Sequence, residues 1–138
     1  MGWKNKLLFH GYDKEQKAFG SLLGISYYLK KVDFEQLVMN MSEIMSEGSA
    51  ICFDYPSVDE SAETRKTQML ASEAGEQMKA VYSYKEIDMI LDKYGFKIEE
   101  HLDENDMTYR YFREYNQANP MQQMNAPVGV GYIYAVKR

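Results

Sequence analysis

Two short apolar segments joined by a helix are the feature that most narrows the folds open to this chain. The first, Phe19–Leu23, runs into Gly24, and the second, Ser49–Phe53, runs into Asp54. Apolar residues between them recur at helical spacing. Strands joined in this way are parallel, with a right-handed crossover, and short apolar strands are typical of a sheet that is covered on both faces. The sequence therefore predicts an α/β fold built on a βαβ unit.

The helix inside this unit has residues that predict where it starts and ends. Asp33, with Gln36 three residues later, predicts a capping box, and Gly48 predicts a left-handed C-terminal stop. The side chains expected to face the core are Phe34, Leu37, Val38, Met41, Ile44 and Met45.

The second half of the chain predicts a helix and two further strands. Ser83 and Glu86 form a capping-box pattern, and the apolar face that follows is Ile87, Ile90, Leu91 and Tyr94. Partial alternation over Phe96–His101 predicts an outer strand, and Val130–Val136 predicts a closing one. The long connection between them, with a short helix over Asp103–Tyr115 that packs Met107, Tyr111 and Phe112, favours an antiparallel last strand.

Composition narrows the possible functions. The formal net charge is −5 and the basic residues are scattered, so no nucleic-acid surface is expected. The single cysteine, Cys52, lies in an apolar run, as expected of a buried thiol in a reducing compartment. No apolar segment approaches the ~18 residues of a membrane span, and we expect a cytoplasmic protein without membrane partners. His10 and His101 have no second ligand at metal spacing, so no metal site is expected.

Ligands of open α/β sheets bind beyond the carboxyl ends of the strands. Here those ends are Leu23-Gly24 and Asp54-Tyr55, and the polar segment Ser57–Gly75 that follows predicts a surface helix or a lid over them. The sequence contains no glycine-rich phosphate loop and no acidic ribose-binding strand end. We therefore expect residues 1–138 to form a single partial domain, the later half of a doubly wound fold.

A collinear series of motifs resembles one known family. It comprises Ala18–Leu29, Gly48-Ser49, Phe53-Asp54-Tyr55, Gly75-Glu76 and Tyr94-Gly95-Phe96. The series is similar to the C-terminal half of S-adenosylmethionine-dependent methyltransferases of the leucine carboxyl methyltransferase superfamily, and within it to the bacterial O-methyltransferase branch associated with polyketide-type substrates. The resemblance implies about four strands of a Rossmann-like class I sheet, mostly parallel with one antiparallel strand and with helices on both faces. It also implies S-adenosylmethionine as cofactor of the full-length parent, with weak or no binding by this chain alone.

The resemblance also implies two groups of site residues. Leu22, Leu23 and Gly24 would approach the cofactor, and Tyr28, Asp54 and Tyr55 would edge the pocket of a small-molecule methyl acceptor. Many carboxyl-methylating relatives have Glu immediately before the glycine; Leu23 stands there in this chain, which favours the O-methylating branch.

The residues themselves leave alternatives open. Gly24 permits either a tight turn or a close approach to the cofactor. Asp54 could orient an acceptor hydroxyl, serve as a general base, or form an Asx turn before Pro56. Tyr28 and Tyr55 could instead be aromatics at the rim of the core. No residue is identified as a catalytic base.

Two functions follow from this interpretation. The chain could be the C-terminal, substrate-side portion of an O-methyltransferase, inactive alone. Alternatively, it could be a stand-alone, non-catalytic module for interaction or small-molecule binding. Because an unpaired strand edge is a template for another strand, that module would form a homodimer through Ala18–Leu23.

Overall fold

The computed structural model describes residues 2–58 and 80–138. Its elements, in chain order, are α1 (Trp3–Phe9), β1 (Phe19–Leu22), a 3₁₀ turn (Ser26–Tyr28), α2 (Lys31–Ile44), β2 (Ala50–Pro56), α3 (Tyr84–Lys93), β3 (Phe96–Leu102), α4 (Glu104–Ala118) and β4 (Val130–Lys137). Beyond Ser57 and Val58, the polar segment predicted to form a helix or lid lies outside the described residues, and so does the pair Gly75-Glu76.

The strands form one four-stranded sheet in the order β1-β2-β4-β3. β1 and β2 are parallel, with Phe19 opposite Ala50 and Leu22 opposite Phe53. β4 is antiparallel to both β2 and β3, so β1, β2 and β3 share one direction. The predicted βαβ unit, the outer position of β3 and the antiparallel insertion of the last strand are all confirmed.

The core lies between one face of this sheet and helices α2 and α3. From β2 it receives Ile51, Phe53 and Tyr55, and from β4 it receives Ile133 and Ala135. The predicted apolar stripe of α2 is confirmed, because its members are buried except for Leu37, which is partly buried against the same cluster. The capping box of α3 is also confirmed, since the Ser83 and Glu86 side chains each bind the other residue's backbone N–H.

The start of α2 differs from the prediction. The helix begins at Lys31 with Lys30 as its N-cap, and no side chain caps it. Asp33 instead lies within the first turn, where a carboxylate favours the positive end of the helix dipole. Gln36 is not a capping-box partner, because its side-chain amide donates to Asn40.

The end of α2 is stabilised by a residue distant in sequence. The helix ends at Ile44 with Met45 already extended, so the prediction that Gly48 terminates it is wrong. Gly48 (φ +87°) lies in the turn that enters β2. The ammonium group of Lys137, on β4, donates to the carbonyl oxygens of Ser42 and of Met45, the latter at 2.6 Å. These bonds satisfy carbonyls that a helix leaves free at its C-terminus.

Helix α4 packs differently from the prediction. It is capped by Asp103 and Asp106 and runs three residues past the predicted end. Tyr111 was expected to pack inward but is 61% exposed, and Met107 and Phe112 are half-buried. The helix lies over the second face of the sheet at β3, where Arg110 pairs with Glu100. Because α4 covers an edge strand, it has no fully buried residue.

Over β1 and β2, the second face of the sheet is less covered by the described residues. Phe19 is 63% exposed, and Cys52 and Asp54 are half-buried. In the described part of the chain, no helix has both the length and the apolar character required to span a bilayer.

Candidate functional site

The carboxyl ends of β1 and β2 lie side by side and are joined through a turn at Gly24. This glycine has φ +70°, a left-handed conformation that residues with a Cβ rarely adopt. Apart from its two chain neighbours, no atom of the described residues lies within 4 Å of where its Cβ would be, so these residues leave space beside the backbone. Leu22 packs against the core and Leu23 is 57% exposed. The tight turn is therefore confirmed, and the approach of a cofactor to it stays a prediction.

Asp54 holds this turn in place. Its Oδ1 atom accepts a hydrogen bond from the Gly24 N–H at 2.7 Å, and its Oδ2 atom accepts one from the Tyr27 hydroxyl at 3.4 Å. Its backbone carbonyl accepts a third, from the Ser26 hydroxyl, at 2.7 Å. We call Gly24, Ser26, Tyr27 and Asp54 the Asp54 network. The carboxyl ends of β1 and β2 are therefore joined by a direct hydrogen bond from the Gly24 N–H to the Asp54 carboxylate.

The Asx turn considered for Asp54 is not formed, because β2 continues through Pro56. Pro56 lies opposite Val130, and Ser57 still donates its N–H to the Gly129 carbonyl at 2.9 Å. Proline removes one donor but keeps its carbonyl, which accepts from the Tyr82 N–H at 2.8 Å. The second strand therefore runs three residues past the predicted segment Ser49–Phe53.

Of the two tyrosines predicted for the acceptor pocket, Tyr28 is exposed and Tyr55 is buried. Tyr28 lies in the 3₁₀ turn and is 59% exposed beside the Asp54 network. Tyr55 follows Asp54 on β2 and so points to the opposite face of the sheet, where it is buried. Its hydroxyl lies 2.9 Å from Nε2 of His101. Tyr55 is thus a core aromatic, and it does not lie on the face of the sheet that carries the Asp54 side chain.

Two other tyrosines reach the site instead. Tyr27 is a member of the Asp54 network, and Tyr132 lies directly opposite Asp54 on β4. Burial, and then the negative charge of Asp54, raise the pKa of both phenols above their ordinary value. Both phenols therefore stay protonated at neutral pH, and the Tyr27 hydroxyl donates to the Asp54 carboxylate. Only the strand register could have revealed Tyr132, and the register is not visible in the sequence.

The carboxylate of Asp54 also affects the thiol pKa of Cys52, which lies two residues earlier on β2. Burial, and then the charge of Asp54, raise the pKa of its thiol. We expect the Asp54→Asn change to shift the pH midpoint for alkylation of Cys52 by iodoacetamide to lower pH, because a neutral amide disfavours the thiolate less. Mass spectrometry reports this reaction directly, since Cys52 is the single cysteine. Asp33→Asn, on α2, should leave the midpoint unchanged, and an unchanged midpoint in Asp54→Asn would refute the coupling.

Within residues 2–58 and 80–138, no group of three or more His, Cys, Asp and Glu side chains is arranged to hold a metal ion. The Asp54 network and Tyr132 together offer one carboxylate, protonated phenols and an exposed glycine turn.

Comparison with known proteins gives this geometry a context. No protein-family model matches the chain. It is 34% identical over 140 residues to a protein of Bacillus subtilis (strain 168) named "Putative S-adenosyl-L-methionine-dependent methyltransferase YktD", and the match covers 96% of this chain and 43% of that protein. The chain thus spans less than half of the relative's length.

Solved structures share the fold at low sequence identity. A DUF574 family protein from Streptomyces avermitilis matches 98% of this chain and 52% of its own, with a TM-score of 0.67 and 11% identity. Magnesium protoporphyrin IX methyltransferase from Synechocystis PCC 6803, solved with bound SAH, matches 87% of this chain and 44% of its own (TM-score 0.55, 8% identity). The mitomycin 7-O-methyltransferase MmcR matches 98% of this chain and 38% of its own, with a TM-score of 0.55 and 14% identity.

The chain has a methyltransferase fold. The mixed α/β sheet predicted from the sequence is confirmed by these neighbours. S-adenosylmethionine, the predicted cofactor, is named in the description of the Bacillus relative, and SAH is bound in one methyltransferase neighbour, which supports this cofactor. The leucine carboxyl methyltransferase superfamily stays a prediction.

Proposed function

We propose that this chain is the substrate-side part of an S-adenosylmethionine-dependent O-methyltransferase that acts on a small molecule, and that it binds the cofactor only together with a complementary segment. The assignment to the leucine carboxyl methyltransferase superfamily belongs to the same proposal. The methyltransferase part of the proposal is supported by the fold of the chain and by the match that covers 43% of the Bacillus relative.

The free edge of β1 is the observation that carries this proposal. In the described part of the chain β1 pairs with β2 alone, so its other edge has unpaired backbone groups. Large apolar side chains of this strand and its end are exposed: Phe19 is 63% exposed, and Leu23, which directly follows the strand, is 57% exposed. An unpaired edge among exposed apolar groups is a surface suited to strand pairing and to burial. We infer that the cofactor-binding segment pairs there.

The Asp54 network fits one wall of a cofactor site. A Cβ at position 24 would enter the space beside the turn, and glycine leaves that space open. S-adenosylmethionine, when bound, supplies an electrophilic methyl group on a sulfonium. Asp54 would keep the turn in a fixed position, and the phenol of Tyr132, opposite Asp54 on β4, would donate a hydrogen bond to a polar ligand atom. Transfer to an oxygen nucleophile gains mainly from such positioning and from exclusion of water.

Calorimetry with S-adenosylmethionine tests the proposal. The chain alone is expected to bind weakly or not at all, and a micromolar affinity would contradict its need for a partner. Addition of the part of the Bacillus relative that the match leaves uncovered should produce saturable binding that neither segment shows alone. Phe19→Lys should abolish that gain, because a lysine at a strand edge opposes pairing. Met121→Lys is the matched control, since Met121 is 94% exposed in the loop before β4.

The same edge supports a second candidate, a stand-alone module that forms a two-fold dimer through Ala18–Leu23. Two copies of β1 could pair across the symmetry axis and bury Phe19 and Leu23. Sedimentation at increasing concentration would then show a dimer that Phe19→Lys dissociates. A monomer at all concentrations would eliminate this candidate.

A further inference from the structure

A second cleft lies between α4 and the segment 120–128 that leads into β4. Its volume is about 650 Å³, within the range of small-molecule sites. It shares no residue with the Asp54 network. Because β4 is antiparallel, its first residues meet the carboxyl ends of β2 and β3, with Val130 opposite Pro56 and Tyr132 opposite Leu102. The cleft therefore lies at the edge of the sheet where α/β proteins bind ligands.

Hydrogen bonds from one face of α4 hold the walls of this cleft together. Each joins a side chain of the helix to the backbone of the opposite segment. They join Asn116 to the N–H and carbonyl of Met124 (2.7 and 2.9 Å), Thr108 to the N–H of Ala126 (2.9 Å), and Glu104 to the N–H of Gly129 (2.5 Å). The cleft is thus formed before any ligand enters.

Arg113 is the cation of this cleft. Its Cζ lies 4.7 Å from the centre of the Tyr109 ring, and its Nη1 donates to the Tyr109 hydroxyl at 2.6 Å. No carboxylate among the described residues forms an ion pair with it. Arg110, one turn earlier, differs in being paired with Glu100. Glu104, also in the cleft, accepts the Gly129 N–H. Arg113 therefore keeps free N–H donors in the geometry that suits a carboxylate.

We propose that this cleft binds a small organic acid, whose carboxylate pairs with Arg113. The side-chain amides of Gln123 and Asn125, which also line the cleft, provide donors and acceptors for the other polar groups of the ligand. Tyr109 holds the guanidinium in place through its ring and its hydroxyl. Identifying this acid as the methyl acceptor rests on the function proposed above, whereas the binding itself does not.

An NMR titration of the ¹⁵N-labelled chain with 4-hydroxybenzoate tests the site. The probe combines a carboxylate, a ring and a hydroxyl group. We expect saturable shifts of the Arg113 Nε–Hε signal and of the Gln123 and Asn125 side-chain amides. The neutral analogue 4-hydroxybenzyl alcohol should bind about tenfold more weakly or worse, because it lacks the charge-assisted pair.

Two arginine variants show whether Arg113 is responsible. Arg113→Gln should weaken binding of 4-hydroxybenzoate by about tenfold or more. Arg110→Gln, on the same helix but ion-paired to Glu100, should retain the affinity of the unaltered chain. Equal affinities of the two variants, or shifts that do not saturate, would overturn the proposal.

The calorimetric test described above separates this proposal from the proposed function. If 4-hydroxybenzoate binds through Arg113 but the combined segments do not bind S-adenosylmethionine, the acid site stands and the methyltransferase proposal fails. If S-adenosylmethionine binds to the combined segments but no acid binds near Arg113, the acid site is refuted and the methyltransferase proposal stands.

Discussion

Replacement of Gly131 with alanine is expected to lower the free energy of unfolding by about 2–3 kcal/mol, as overpacking of a filled core does. A Cβ at this position would lie 2.4 Å from Cε1 and Cζ of the Tyr55 ring. Tyr55 is 1% exposed and faces Gly131 across the central strands β2 and β4. Its hydroxyl also bonds to His101, so the ring cannot withdraw without loss of packing and of that bond. Urea denaturation of both proteins measures the difference.

Gly20→Ala is the matched control for this experiment. A Cβ there would also come within 2.4 Å of another atom, but that atom is the terminal methyl carbon of Met41. A methionine side chain is unbranched and moves readily. The smaller entropy of the unfolded alanine chain also offsets part of the cost, so we expect a loss below about 1 kcal/mol. If both variants lost the same free energy of unfolding, the cost would not depend on whether the contacted side chain is the rigid Tyr55 ring or the flexible Met41 chain.

The sequence predicts the fold well because its strands and helices are marked by local signals. Apolar runs locate β1 and β2, and the capping box at Ser83 locates α3. The parallel pairing and the antiparallel last strand follow from the lengths of the connections. These features depend on residues close together in the chain, and the structure confirms them.

The ends of α2 show where local signals fail. Asp33 has the residue type of an N-cap, but the helix begins two residues before it. Gly48 has the residue type of a stop, but Lys137 on the last strand satisfies the final carbonyls. No pattern within the helix reveals a partner that far along the chain. Tertiary contacts therefore decide helix boundaries that propensity leaves open.

The candidate site could be predicted only in part, for the same reason. The meeting of Gly24 and Asp54 follows from the parallel strands, because their carboxyl ends lie at the same edge of the sheet. The alternation of side chains along β2 then excludes Tyr55 from the surface of Asp54. The cleft at Arg113 depends on how segment 120–128 folds against α4, and no sequence pattern predicted that contact.

The bond between Asp54 and Gly24 leads to the second large expected effect. Asp54→Ala should lower the free energy of unfolding by about 2 kcal/mol, because it removes a hydrogen bond from a charged acceptor. The variant should also lose stability locally, at the turn, because the Gly24 N–H donates to Asp54 in the unaltered chain. Hydrogen exchange at the Gly24 amide, followed by NMR, should accelerate about tenfold or more, which corresponds to about 1.4 kcal/mol.

Asp54→Asn is the control that separates geometry from charge. The amide oxygen of asparagine can still accept the Gly24 N–H, so this variant should lose about 1 kcal/mol or less. If both variants lost the same stability, the charge of Asp54 and not its position would hold the turn. If neither accelerated exchange at Gly24, the turn would be held by its own conformation. The cofactor wall proposed above would then not depend on Asp54, because the turn would keep its position without the bond from the Gly24 N–H to the Asp54 carboxylate.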